Sequence, residues 1–482
     1  MFMRMIYDEQ LAQGAYLIGC QKTGQAIIID PERDVDRYIN LAEDNGLQIV
    51  ATAETHIHAD FLSGSRELAE LIGAKVYVSD EGDADWKYQW LDKKSSGGSY
   101  DHQLLHHGDT FQIGNIEFTV VHTPGHTPEH ISFLVVDHGA GATEPIGMIT
   151  GDFLFVGDLG RPDLLETAAG HIGVMEPSAR TLYKSLHTLD TVPEFVQVWP
   201  AHGAGSACGK ALGAIPTSTI GYEKRFNPAI AAATDEDSFV DFILSGQPEP
   251  PIYFANMKRD NKLGPKVLGG VPLPPRITLG QMRQIDAQKV AIVDTRPWEA
   301  FRDGHIPGSM SFPLIKSFST DVGSLVHEDE EICLIVEPDQ LEGAVRALIR
   351  IGLDNIMGWF DPVEFELCTG DSSCLDVVAE LTPEDAEELI NDANHHVLDV
   401  RRATEFAEGH IPGATNVTHT RLAARLDEVP KGKRLLVNCR SGSRSARASS
   451  YLKRLGHEVI NLKGGFNAWA ETHAHKHHAS SK

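Results

Sequence analysis

Four apolar runs in the first half of the chain each stop at a histidine or an aspartate, and this pattern constrains the fold most. Leu47 to Thr52 leads into Glu54-Thr55-His56-Ile57-His58-Ala59-Asp60-Phe61. Thr110 to Val121 reads as a hairpin around Gly114-Asn115 and ends in His122-Thr123-Pro124-Gly125-His126-Thr127-Pro128-Glu129-His130. Ile146 to Ile149 runs into Thr150-Gly151-Asp152, and Phe195 to Trp199 into Pro200-Ala201-His202-Gly203. A single histidine after a strand is usually a satisfied polar group. Four such endings predict one rim, because layered α/β folds collect their sites at strand ends. Imidazoles with carboxylates leave open positions on a non-haem iron and equally suit a zinc hydrolase, so ligand type alone selects neither.

The rhythm around these runs is that of an α/β layer structure. A strand at Ala26 to Ile29, helical spacing at Val35, Tyr38, Ile39 and Ala42, and Gly46 at the helix end precede the first cluster. A helix over Arg66 to Leu71 and a strand over Lys75 to Val78 follow it. With 482 residues, about three domains are expected. A net charge of −26 argues against a nucleic-acid partner, which needs a basic face. No apolar run is long enough to span a membrane, and the start lacks a signal peptide's apolar core. Six singly scattered cysteines form no disulfide framework, which places the chain in a reducing cytoplasm.

Proline-rich breaks at 245–251 and 271–275 mark a linker. Beyond it, Asp294-Thr295-Arg296 through Gly304-His305-Ile306-Pro307-Gly308-Ser309 recurs as Asp399-Val400-Arg401 through Gly409-His410-Ile411-Pro412-Gly413-Ala414 at a constant offset of 105 residues. That period is domain-sized, so two copies of a small α/β domain are predicted. The second copy carries Asn438-Cys439-Arg440-Ser441-Gly442-Ser443-Arg444 between a strand and a helix. A cysteine before such a small-residue loop lies in a nest of N–H groups that favours thiolate. Arg440 and Arg444 can hold a sulfur oxyanion there. In the first copy the loop reads Glu337-Pro338-Asp339-Gln340-Leu341-Glu342 without a cysteine, and Cys333 lies earlier in an apolar run. Cys368 and Cys374 fall in a second linker and carry no signal. The tail after His473 reads as a disordered end.

The four strand-end motifs resemble those of the metallo-β-lactamase fold, and within it the glyoxalase II and persulfide dioxygenase branch. The Cys439 loop, with Gly464-Gly465-Phe466-Asn467-Ala468-Trp469, resembles a rhodanese. A tyrosine phosphatase would need arginine at Ser445. The whole order is similar to persulfide dioxygenase–rhodanese fusions of the CstB type. This resemblance implies an α/β multidomain chain: a metallo-β-lactamase αββα sandwich at 1–245, a linker at 246–275, an inactive rhodanese-like domain at 276–365, a linker at 366–380, an active rhodanese at 381–472 and a histidine-rich tail at 473–482.

It also implies one Fe(II) per chain on His56, His126 and Asp152. Two-metal relatives carry histidine where this chain has Phe61, which cannot ligate. His58, Asp60 and His202 then either support the ligands from outside or replace one of them. His122 and His130 read as packing or hydrogen-bonding groups. Arg161 either holds a substrate carboxylate or pairs with Asp163, and Cys208 is either a second persulfide-bearing thiol or a small buried residue. Arg440, Ser441, Gly442, Ser443 and Arg444 would bind the sulfur anion. The implied activity oxidises a low-molecular-weight thiol persulfide (of glutathione, coenzyme A or bacillithiol) with O2 to sulfite. The Cys439 persulfide and sulfite then give thiosulfate, so that sulfide is detoxified. No membrane or nucleic acid takes part, and a homo-oligomer is implied. Two other readings stand beside it: a glyoxalase II-like zinc thioester hydrolase with sulfur-transfer domains, and a non-oxidative sulfur carrier.

Overall fold

In a computed structural model, the protein is described except at residues 168–171, 211, 214, 369–373 and 480–482, and without the side chains of 474–479. It divides into two compact units: Met1–Val271 with Ile349–Gly352, and Pro272–Leu348 with Leu353–Lys482.

The first unit is built on two six-stranded sheets. Its central strands read as continuous apolar runs because both of their faces are covered. Along Gln25–Ile29, Ile27 and Ile29 point into a core shared with Phe118, Phe133 and Trp199 of the second sheet. The intervening Ala26 and Ile28 face Tyr38 and Ala42 of the helix Asp36–Asp44. The same alternation governs the second sheet. Ile149 and Trp199 face inward, while Met148 and Val198 pack with Leu182 and Phe239 of the helices Met175–Ser185 and Glu236–Leu244. Helices thus cover both outer faces, and the expected αββα sandwich is the observed architecture. The sequence reading omitted the first hairpin, Phe2–Asp8 with Gln13–Cys20, which pairs antiparallel at one edge of the first sheet. Gly46 takes φ +67° just past the helix end, a left-handed cap that glycine adopts without strain.

The second unit contains the two repeats as two sheets. In the first, Met310–Ser311, Val290–Asp294, Glu331–Ile335 and Ile356–Phe360 pair in parallel. In the second, Ala379–Leu381, Val459–Leu462, Arg434–Asn438, His395–Asp399 and Thr415–Asn416 do the same. The repeated motif is a structural cassette. Arg296 donates to Asp294 and to the Gly304 carbonyl, as Arg401 does to Asp399 and the Gly409 carbonyl. His305 stacks on Phe301 at 4.0 Å, and His410 on Phe406 at 3.8 Å.

Several expectations are corrected. The stretch 246–275, read as a linker, contains the helix Phe254–Leu263, which belongs to the first unit. Cys368 and Cys374, read as single thiols, form a disulfide, while Cys20, Cys208, Cys333 and Cys439 are free. Part of the stretch 366–380 read as the second linker, residues 369–373, lies outside the described residues. The final helix, Gly465–Ala479, runs into the tail expected as a disordered end. Among the described residues no helix is long and apolar enough to cross a membrane.

Candidate metal centre and cysteine loop

The strand Gln48–Ala53 delivers the Glu54–Phe61 segment, and Asp30, at the end of its neighbour, anchors it. Asp30 adopts φ +53°, rare for a residue with a Cβ. In that conformation its carboxylate accepts the Thr55 amide at 2.7 Å and the Thr55 hydroxyl at 2.9 Å. Having donated its proton to Asp30, the Thr55 oxygen accepts from His56 Nδ1 at 3.0 Å. His126 Nδ1 donates to the Arg161 carbonyl at 3.0 Å, and His202 Nδ1 to the Ala12 carbonyl at 3.1 Å. Each ring is therefore held in the tautomer that leaves a lone pair on Nε2.

Those lone pairs meet carboxylates rather than donors. His126 Nε2 lies 3.5 Å from Asp152 Oδ2, and His202 Nε2 lies 3.4 Å from Asp152 Oδ1 and 3.3 Å from Asp60 Oδ2. None of these approaches is a hydrogen bond: both Asp152 oxygens, Asp60 Oδ2 and His202 Nε2 are buried without one. Acceptors converging in a dry interior are costly unless a cation lies between them. The ligand atoms of His56, His126 and Asp152 fall within 4.8 Å of one another, and those of Asp60, His202 and Cys208 form a second such group. The donor set fits a metal. Burial pushes the Asp60 and Asp152 carboxyls up to about 6, a penalty on charge that a bound cation would reverse, and the His126 imidazole down to about 4, the neutral form that ligation requires.

His58 is placed differently. Its Nε2 lies 3.1 Å from Asp30 Oδ1 and 3.2 Å from Glu54 Oε2, so it points into a carboxylate pair rather than at the gap. Burial lowers its pKa, but the charges and hydrogen bonds of Asp30 and Glu54 together outweigh burial and hold the imidazole well above the ordinary histidine range. A protonated imidazole has no lone pair to offer a metal. Phe61, fully buried, packs tilted against its ring at 4.4 Å between centroids.

His130 accepts the Asp152 amide on Nε2 and donates from Nδ1 to Thr123, and His122 bonds the Pro128 carbonyl, so both are hydrogen-bonding groups. Gly151, at φ +51°, permits this turn. A Cβ there would lie 2.6 Å from His130 Nε2 and 2.7 Å from the Thr55 hydroxyl.

Arg161 is fully buried. Its guanidinium grips Asp163 at 2.6 and 3.0 Å and donates to the Ala207 and Pro248 carbonyls. The pair with Asp163 that one of its two readings named is present. Cys208 is buried beside Asp60 and His202, where burial and the charges of Asp60 and Asp152 push its thiol well up.

Sequence reasoning missed Asp30, Glu54 and Asn261. Asp30 ends an apolar strand like the four motifs, which is a usable signal. Asn261 had none, because it lies in the stretch taken for a linker. Its amide donates to the His58 and Phe61 carbonyls, and its oxygen accepts the Ser63 amide.

In the second unit Cys439 ends the strand Arg434–Asn438 and is almost fully buried. Its sulfur accepts the Gly442 amide at 3.2 Å. Gly465 lies so close beneath the loop, at φ +60°, that a Cβ would collide with the Cys439 carbonyl and lie 2.8 Å from the Gly442 nitrogen. This contact explains Gly465; Gly464 beside it takes φ +72°. Arg444, expected to bind the anion, makes a bidentate pair with Glu405 at 2.7 and 2.8 Å. Arg440 and Ser441 are exposed on the loop.

Known proteins share these features. Residues 10–202 match the metallo-beta-lactamase superfamily model, and residues 281–359 and 382–472 each match the rhodanese-like domain. The crystal structure of a metallo-beta-lactamase from Staphylococcus aureus subsp. aureus COL is 42% identical, covers 75% of this chain and 99% of its own, and superposes with a TM-score of 0.67. Persulfide dioxygenase ETHE1, mitochondrial, of Bos taurus is 26% identical over 48% of this chain and 78% of its own length. A beta-lactamase hydrolase-like protein of Agrobacterium fabrum is 28% identical over 49% of this chain and 54% of its own length.

Proposed function

From a chain that belongs to the metallo-β-lactamase superfamily and carries two rhodanese-like domains, we propose an iron-dependent persulfide dioxygenase coupled to a sulfurtransferase. The observation that carries this reading is the convergence of His56, His126 and Asp152, with both imidazole Nδ1 atoms committed and both Asp152 oxygens unpaired. The similarity to ETHE1 supports persulfide as substrate.

His56, His126 and Asp152 would hold one Fe(II), which supplies the dioxygen chemistry when bound. The residues around it keep the site dry, fix the imidazole tautomers and leave the charged His58 outside the ligand set. In balance, RSSH, O2 and H2O give RSH, sulfite and two protons. At the second site the Cys439 thiolate attacks the sulfane sulfur of another persulfide, forming Cys439–S–S⁻ and releasing RS⁻. Sulfite then attacks the outer sulfur, the S–S bond to Cys439 breaks, and thiosulfate leaves with the thiolate restored. Arg440 and the loop amides face that anion, since Arg444 is engaged by Glu405. Burial and the nearby carboxylates disfavour the Cys208 thiolate, so of its two readings the small buried residue is the one proposed. The domain limits read from the sequence, apart from the 246–275 linker, belong to the same proposal, as do a location in the cytoplasm and a homo-oligomeric assembly.

Changing Cys439 to serine tests the coupling. C439S is expected to consume O2 at the wild-type rate and release sulfite in place of thiosulfate. Unchanged thiosulfate output would overturn it. The hydrolase reading is favoured by one observation, the Asp60–His202–Cys208 group, which could hold a second metal. It requires two metals per chain and no O2 uptake.

A further inference from the structure

The helix Ser443–Arg454 begins at the Cys439 loop, and one of its faces is held by the repeat that lacks a loop cysteine. Arg447, Ser450 and Arg454 lie on that face at helical spacing. At the far end, Arg454 donates to the Ala287 carbonyl and pairs with Glu330, while Gln288 donates to the Arg454 carbonyl. In the middle, the Ser311 amide donates to Ser450 Oγ at 2.9 Å. At the near end, Asp321 forms a 2.6 Å ion pair with Arg447, and both side chains are nearly fully buried. Asp321 also accepts from Ser317 at 2.8 Å and lies 3.3 Å from His419 Nε2.

Only the near-end contact reaches the loop. Arg447 Nη1 donates to the Ser443 carbonyl at 2.6 Å and the Ser443 hydroxyl at 2.7 Å. Ser443 follows Gly442, whose amide donates to the Cys439 sulfur. Asp321 therefore acts on the thiol through Arg447, Ser443 and Gly442 in turn.

We propose that Asp321 is a positioning residue for Cys439: the cysteine-free repeat fixes, through Arg447, the helix start whose amide holds the sulfur. This inference rests on the reading of Cys439 as the sulfur acceptor. It assigns the middle repeat a task within sulfur transfer, and explains why Asp321 and Arg447 are buried opposite charges. An ion pair that only glued the repeats together would not need Arg447 to grip Ser443.

The test uses the full chain and two readouts, the rate of Cys439 alkylation by iodoacetamide at neutral pH, followed by peptide mass spectrometry, and the kcat and KM of thiosulfate formation. In D321N, alkylation and kcat are each expected to fall about tenfold or more, with KM within about twofold, because small misplacements of a nucleophile are costly. D321E should recover part of the loss. E330Q, which breaks the far-end pair, should lower the unfolding midpoint and leave Cys439 reactivity intact. If D321N does not fold, R447K serves. It keeps a cation against Asp321 but cannot reach both Ser443 atoms, so the same loss is expected. Wild-type alkylation in the folded variant, or an equal loss in E330Q, would overturn the proposal. Because alkylation needs no sulfur transfer, an unchanged product in C439S would refute the functional reading and leave this result interpretable.

Discussion

Thr55 shows how one hydroxyl decides the chemistry of a neighbouring imidazole. Its proton goes to Asp30, so it can only accept from His56 Nδ1, and Nε2 is left for a metal. T55V keeps the shape and removes both bonds. Losing such an outer partner typically weakens metal binding about 10–100-fold, and chelator competition on the variant should show a loss in that range. Wild-type affinity would mean that packing alone orients His56. Arg161 makes a different case. Its guanidinium is committed to Asp163 and two carbonyls, so R161M strands a buried carboxylate and is expected to cost about 3–5 kcal/mol of stability in denaturant unfolding. A raised KM with unchanged stability would restore the substrate-binding role.

At the scale of elements, what was legible in the sequence is what is local. The strand-end motifs were readable because each holds its apolar run and its polar stop within a few residues. The Asp294/Arg296 and Asp399/Arg401 cassettes were readable because they repeat. Partners from afar were not. Asn261 reaches His58 and Phe61 from a helix hidden in a proline-flanked stretch, and Asp321 reaches Arg447 from another repeat. Arg444 has a distant partner too: spacing from Cys439 suggests anion binding, and Glu405 on the helix Ala403–Ala407 engages the guanidinium.

That pair has a pH signature. Partial burial raises the Glu405 carboxyl, but the Arg444 hydrogen bonds and charge outweigh it and hold it down at about 2. A carboxyl depressed in the folded state stabilises fully above its unfolded value of about 4.5, and the gain is lost as pH falls through about 2. E405Q should therefore lose about 1 kcal/mol at neutral pH, allowing for partial exposure, and much less at pH 2. A loss equal at both pH values would show that the pair contributes by packing.

The whole molecule joins a metallo-β-lactamase sandwich to a pair of rhodanese-like domains in one chain. If the first makes sulfite and the second consumes it, the product is thiosulfate without free sulfite accumulating. This logic needs the first unit to be an oxygenase, and Phe61 is the residue that favours it. By the family resemblance it stands where two-metal relatives carry histidine, and its ring packs tilted against the charged His58. Among the described residues the chain nevertheless retains Asp60, His202 and Cys208 as a second ligand group, so metal stoichiometry separates oxygenation from hydrolysis most sharply. The protein purified without oxygen, analysed for metal and then given a thiol persulfide in an oxygen electrode tests this directly. The account predicts one iron per chain and one O2 consumed per persulfide oxidised, with both lost in H126A. Two zinc ions per chain and no O2 uptake would contradict it.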